Sequence, residues 1–251
     1  MGMNSKDLSG TVAIVTGASQ GIGLATATLL AEHGVNVALV SRSKEKLEKI
    51  SRELSGSLAV PTDMTKIHQI TRMIKKTREH FGRIDILVNN AGQGYDAPVE
   101  KINIGTFQYI YALNLTGPLV AMQQVIPIMR KQGGGTIVNI SSGTALMDLP
   151  DMSAYSSSKR ALAGISMAAR QELKDDAIVV SVVYPYITLT DFEKNTIRES
   201  HEDDWKPEDT AGPFPPDSAE YVAHKILEGI ISGDAEIYAH DWMKNRGNRD
   251  A

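Results

Sequence analysis

The sequence predicts a doubly wound α/β fold, a single mainly parallel sheet of about seven strands with helices on both faces. Three observations carry that prediction. Short apolar runs of β-forming residues recur along the chain, as at Val12-Ala13-Ile14-Val15, and such runs suit strands buried on both faces of a parallel sheet. Segments with helical apolar spacing separate them, so strand and helix alternate. A glycine cluster joins the first strand to the first helix, where folds of this class place their ligands.

The elements follow in order. After the strand at 12–15, helical spacing runs from Leu24 to His33 and Gly34 stops it before a second strand at 35–40. Leu47, Ile50 and Leu54 form one stripe on a charged helix, 44–54, which leads to a short strand at 58–60. Ile67, Ile70, Ile74 and Phe81 mark the next helix, before a strand at 84–88. Residues 105–131 read as a long helix that Pro118 and Pro127 should bend. Pro118 offers no N–H to the carbonyl four residues earlier, so a bend is expected between Asn114 and Pro118, with the Asn114 carbonyl left free. Gly133-Gly134-Gly135 ends this helix. Strands at 136–140 and 178–183 flank a helix at 153–173, and a last helix, 218–231, precedes a strand at 236–238 and a polar tail. No repeat or second domain is visible, so residues 1–251 are read as one domain. The stretch 192–216, which includes Trp205 and Phe214, is acidic, rich in proline and without periodicity; it reads as a lid over a substrate, with a plain surface loop as the alternative.

Composition narrows the function. The formal net charge is −4 and the basic residues are scattered, which argues against nucleic acid or an anionic membrane as partner. There is no cysteine, and the six histidines show no ligand spacing, so no metal site is expected. No apolar run reaches the length of about 18 residues that a membrane span needs. The first residues lack an apolar signal core, and Lys6 stands where a myristoylation motif wants Ser or Thr. A cytoplasmic protein is the expectation.

Several residues carry chemistry. In Thr16-Gly17-Ala18-Ser19-Gln20-Gly21-Ile22-Gly23 the glycines permit a tight turn and close backbone approach, and the following helix offers free N–H groups to an anion. The second strand ends in Ser41-Arg42-Ser43, with no carboxylate before Glu45; a guanidinium here favours a 2′-phosphate, and the plainer alternative is a solvated arginine. Asn89-Asn90-Ala91-Gly92 closes the fourth strand and would by itself pass as a polar turn. Ser142 follows the strand at 136–140, thirteen residues before Tyr155. Tyr155 and Lys159, four residues apart on a helix, share one face; the ammonium is expected to stabilise the phenolate and lower the phenol's pKa toward the working range.

Taken together, TGxxxGIG, NNAG, Asn114, Ser142 and YxxxK in this order resemble the short-chain dehydrogenase/reductase family, over roughly residues 8–238. The resemblance implies a Rossmann-type oxidoreductase transferring a hydride between NADP(H) and a carbonyl or alcohol, with NAD(H) the less favoured cofactor. It implies Tyr155 as general acid or base, Lys159 as its modulator and ribose ligand, Ser142 orienting the carbonyl oxygen and Asn114 as the fourth catalytic residue, its free carbonyl facing Lys159 across one bridging water. Asn114 read alone is a satisfied polar residue in a helix. For the cofactor it implies the glycine turn with Ser19, Gln20 and Ile22, an adenine pocket at Asp63 and Met64, and Asn90 with Ala91 and Gly92 beside the adenine ribose. Asp63 has an equal reading as a helix cap. Pro185, Thr188 and Thr190 fall where the family holds the carboxamide and adjoining phosphate. The chain departs from the family at Pro185-Tyr186, where Pro-Gly is usual. Leu146, Met147, Met152 and Tyr186 suggest a partly apolar substrate pocket. The helix carrying Tyr155 and the long helix before it are apolar beyond what one sheet face needs, and the family usually pairs them across subunits, which implies a homo-oligomer, a tetramer or dimer. The rival readings are a 3-oxoacyl-[acyl-carrier-protein] reductase, disfavoured by the uncharged and acidic residues at 133–135 and 174–176, and a dinucleotide-sensing regulator without catalysis, disfavoured because all four residues are present.

Overall fold

The computed structural model describes residues 7–199 and 214–246. Seven strands, β1 (Val12–Thr16), β2 (Asn36–Ser41), β3 (Ser57–Pro61), β4 (Ile86–Asn89), β6 (Gly135–Ile140), β7 (Ile178–Tyr184) and β9 (Glu236–Tyr238), form one sheet in the order β3-β2-β1-β4-β6-β7-β9. Every pairing in it is parallel. The helices are α1 (Gly21–Glu32), α2 (Lys44–Glu53), α3 (Ile67–Phe81), α4 (Ile104–Tyr111), α5 (Gly117–Gln132), α6 (Ser153–Glu172) and α7 (Ala219–Ser232).

The strand period of two explains why the runs are apolar throughout. Ala13 and Val15 of β1, with Val37 and Leu39 of β2, enter a core with residues of α1 and α7. Ile14, Ala38 and Val40 point the other way, into a second core with residues of α3 and α5. Both faces are therefore covered, and the loops at the carboxyl ends of the strands collect on one edge.

Near Pro118, where a bend is expected, the helix widens. The helical run from Ile104 to Gln132 contains a π-helical turn at Ala112–Thr116, and the N–H of Gly117 donates to the Ala112 carbonyl. Pro118 then lies in the first turn of α5, where its missing N–H costs little. The wide turn holds Asn114 fully buried. Gly117 is required beside it, because a Cβ there would lie 2.5 Å from the Met64 carbonyl oxygen.

Two features differ from the sequence reading. Tyr95–Asp96 (β5) and Ile197–Arg198 (β8) form a second, two-stranded parallel sheet. The start of the stretch read as a lid without periodicity therefore carries regular structure, with a 3-10 turn at Glu193–Asn195 ahead of β8; Trp205 lies outside the described residues. The tail read as polar contains a 3-10 segment, Asp241–Arg246, that buries Met243. No described helix is long and apolar enough to cross a membrane.

Candidate active site

The loops after β1, β2, β3, β4, β6 and β7 line one cavity of about 830 Å³. At its head, Gly17 and Gly21 have φ of +72° and +54°, and a Cβ on Gly23 would lie 2.3 Å from the Gly17 carbonyl oxygen. The turn can close this tightly only with glycine at those places. Gly17, Ser19, Gln20, Gly21 and Ile22 line the cavity, whereas Gly23 sits behind the turn. No side chain caps α1 and its first turn has no acidic residue, so its N–H groups are left to an anion, which fits a dinucleotide phosphate.

Thr16 pins this turn to the loop after β4. Its hydroxyl accepts from the N–H groups of Asn90 (2.9 Å) and Ala91 (3.0 Å), and Asn90 Nδ2 donates to the Thr16 carbonyl at 2.9 Å. Asn90, Ala91 and Gly92 all face the cavity. Thr190 closes the turn from the other side, close enough that a Cβ on Gly21 would lie 3.0 Å from its methyl group.

Arg42 stands at the end of β2 with Lys46 beside it on the cavity wall, and Arg42 Nη1 donates to the Tyr109 hydroxyl at 3.4 Å. Asp63 and Met64 line the adjoining wall. Asp63 does not cap a helix, since Lys66 precedes α3; its carboxylate accepts from the Thr65 N–H (2.9 Å) and hydroxyl (2.8 Å). Burial pushes its pKa up, but the two Thr65 bonds and the charges of Arg42 and Lys66 outweigh burial and hold it below the usual carboxylate range.

Ser142, Tyr155 and Lys159 converge farther along the cavity. Ser142, extended at the end of β6, caps a 3-10 turn at Gly143–Leu146, and its oxygen accepts from the Thr144 N–H and hydroxyl at 3.2 and 3.0 Å. Lys159 Nζ lies 5.9 Å from the Tyr155 ring centre and donates to the Ile140 carbonyl at 2.9 Å. Asn114 does not line the cavity. Its side chain accepts from the Gln93 N–H and donates to the Gln93 carbonyl, both at 3.0 Å, and donates to Ser158 Oγ at 3.2 Å. Gly92 separates it from the lysine, and a Cβ there would lie 3.2 Å from Lys159 Nζ and 3.3 Å from Asn114 Oδ1.

The expected lowering of the Tyr155 pKa does not appear in the chain alone. Burial is the largest influence and pushes the phenol well above its ordinary value; the nearby Ser142 hydroxyl pulls it down, and the charges of Glu193 and Asp96 push it further up. Lys159 spends its short reach on Ile140 rather than on the phenolic oxygen. Burial in turn lowers the lysine to about 8.

The far end of the cavity is apolar. Leu146, Met147, Met152 and Tyr186 line it as expected, and so do Phe192, Trp242 and Met243, which the sequence reading missed. Tyr186 meets Trp242 and His240 edge to face, with ring centres 5.4 and 5.8 Å apart. A tyrosine is accommodated after Pro185 because Trp242 of the 3-10 segment and His240 just before it supply rings to pack it. Thr188 faces the same cavity as Pro185, and its hydroxyl donates to the Tyr186 carbonyl at 2.8 Å.

The sequence profile described as short chain dehydrogenase matches residues 11–201. The chain belongs to that family. Short-chain dehydrogenases are NAD(P)-dependent oxidoreductases that act on CH–OH and C=O groups. Among its relatives, the chain is 35% identical over 192 residues to the uncharacterized oxidoreductase YxjF of Bacillus subtilis (strain 168), which covers 75% of each chain. It is 34% identical over 193 residues to a 3-oxoacyl-[acyl-carrier-protein] reductase of a Synechocystis species, covering 75% of this chain and 78% of the relative. Among solved structures, it resembles a 3-ketoacyl-(acyl-carrier-protein) reductase from Brucella melitensis complexed with NADH, with a TM-score of 0.83, 26% identity and coverage of 92% and 97% of the two chains.

The buried lysine gives a prediction about stability. Its pKa in the folded protein, about 8, lies below the ordinary 10.5, so the unfolded chain binds this proton more tightly. The penalty for burying the charge is complete below about pH 8 and is relieved as pH rises toward 10.5. Lys159→Met carries no such penalty. Thermal melts of both proteins are expected to show any advantage of Lys159→Met at pH 7 shrinking steadily toward pH 10.5; a difference in Tm that does not change with pH would refute the assignment.

Proposed function

We propose that the chain transfers a hydride between NADP(H) and a carbonyl or alcohol substrate, with Tyr155 as the proton donor or acceptor. The observation that carries this reading is the convergence of Ser142, Tyr155 and Lys159 in one cavity with a glycine turn and Arg42. When bound, the dinucleotide supplies or accepts the hydride. The residues that would hold it are the glycine turn, Arg42, Asp63 and Met64, then Asn90 to Gly92, and Lys159 with Pro185, Thr188 and Thr190. Arg42 and Lys46 favour a 2′-phosphate, and the Asp63 carboxylate on the adjoining wall is engaged by Thr65. NAD(H) is the less favoured cofactor, although the Brucella melitensis relative is complexed with NADH.

Ser142 orients the substrate oxygen toward Tyr155. A phenol held protonated by burial suits proton donation, as carbonyl reduction requires. Lys159 holds the nicotinamide ribose and offsets negative charge as the proton leaves. Asn114 acts by position, through Gln93 and through a carbonyl that Pro118 leaves without its usual donor. Leu146, Met147, Met152 and Tyr186 receive an apolar substrate body beside Phe192, which opens the segment read as a lid, 192–216, of which residues 200–213 lie outside the described ones.

The whole chain acts as one cytoplasmic domain that associates into a homotetramer or dimer. Ile104 at the head of α4 is 65% exposed and Val99 just before it 75%, leaving apolar surface for a partner subunit. A 3-oxoacyl-[acyl-carrier-protein] reductase is the second reading, favoured by the Synechocystis relative. Against it, Arg130 at the end of α5 is held by Asp176, with Nε donating to Oδ1 at 2.8 Å, which blunts the positive charge an acidic carrier would need.

Assays of carbonyl and alcohol compounds with both cofactors test the reading. Tyr155→Phe is expected to cut turnover by about 10² or more, the usual size of general acid–base loss, while NADPH still binds. Retained turnover would refute the proposed chemistry. Arg42→Asp is expected to reverse the preference toward NADH, because it replaces a phosphate-binding cation with a group that repels phosphate and accepts from ribose hydroxyls. Equal use of both cofactors by the unaltered protein would refute the role of Arg42.

A further inference from the structure

Gln93 follows the NNAG turn and joins three parts of the molecule. Its backbone is fixed by the two bonds to Asn114 already described. Its side-chain Nε2 donates to the Asn195 carbonyl at 2.7 Å, in the 3-10 turn that opens the lid segment. Its Oε1 accepts from the Tyr109 hydroxyl at 3.1 Å, and that hydroxyl accepts from Arg42 Nη1 at 3.4 Å. Every bond runs in one sense, Arg42 to Tyr109 to Gln93 to Asn195, so each donor polarises the next. Arg42 keeps its other N–H groups for a phosphate.

The docked segment sits directly over the chemistry. Phe192 lies against the Tyr155 ring, with centres 5.6 Å apart. Beyond Asn195, the N–H of Ile197 donates to the Gly94 carbonyl and that of Glu199 to the Asp96 carbonyl, both at 3.1 Å. Gly94 permits this approach, because a Cβ there would lie 2.4 Å from Thr196 Oγ1.

We propose that Gln93 is a positioning residue that docks the segment from Phe192 to Glu199 over Tyr155 and couples that docking to the occupancy of Arg42. Its coupling half rests on the reading of Arg42 as the 2′-phosphate site. A phosphate that fixes the guanidinium orders Tyr109 and Gln93, and so tightens the segment over the substrate. A cofactor without that phosphate leaves the chain of bonds looser.

Hydrogen exchange at the Ile197 and Glu199 amides reads the docking, in the protein alone and with saturating NADPH or NADH. In the unaltered protein, NADPH is expected to slow exchange at these amides more than NADH does. Gln93→Leu is expected to speed it about fivefold to tenfold without cofactor, the size of one net hydrogen bond. Gln93→Glu, which keeps the shape and the acceptor but lacks the donor, is expected to match it. Tyr109→Phe cuts the link to Arg42 and spares the bond to Asn195, so it is expected to erase the difference between the two cofactors while leaving the cofactor-free rate near that of the unaltered protein. Unchanged exchange in Gln93→Leu would overturn the docking, and a cofactor difference that survives in Tyr109→Phe would overturn the coupling. Failure of the unaltered protein to bind either nucleotide would overturn the cofactor reading and the coupling, while the cofactor-free comparison would still decide the docking.

Discussion

Burial of the Lys159 ammonium is the constraint on which the site depends. Among the described residues, only the Ile140 carbonyl, at the end of β6, is within bonding reach of it, so the strand fixes where the charge sits. A buried charge is costly unless its surroundings are arranged to hold it, and the surrounding elements show that arrangement. The π-helical turn at Ala112–Thr116 brings Asn114 behind it. Gly92 leaves room between the two. Residues around one cation thus explain an irregular helix, a glycine and a strand end together.

The same crowding accounts for the cofactor edge. Thr16 holds the loop after β4 against the glycine turn, and the turn closes on its own carbonyl at Gly23. A backbone packed this closely offers its N–H groups outward, and α1 adds an uncapped end. The anion site, the ribose wall and the lysine are therefore parts of one rigid edge of the sheet rather than separate features.

Much of this was legible in the sequence because it is written locally. Apolar runs and helical stripes gave seven strands and their covering helices in order, and the glycine turn, NNAG and Tyr155-x-x-x-Lys159 are contiguous. What stayed hidden depends on pairing across long separations. Tyr95 meets Ile197 in strands of two residues each, too short to show a period. Trp242 and Met243 reach the cavity from a tail whose composition reads as polar, and Tyr186 makes sense only beside them. Gln93 carries no motif, and its bonds to Asn114, Tyr109 and Asn195 come from three distant segments. The pKa of Tyr155 departs from the sequence expectation for a physical reason, since spacing on a helix shows proximity to Lys159 but not the burial that raises the phenol.

That burial, and not the neighbouring cation, sets the state of the phenol in the chain alone is the central claim. Tyrosine labelled with ¹³C at Cζ, with the Tyr155 resonance assigned by its absence in Tyr155→Phe, reads the titration of this one group by NMR. The account predicts that Tyr155 stays protonated beyond about pH 10, the ordinary phenol value, in the cofactor-free protein. A resonance that titrates near neutral pH without cofactor would contradict it.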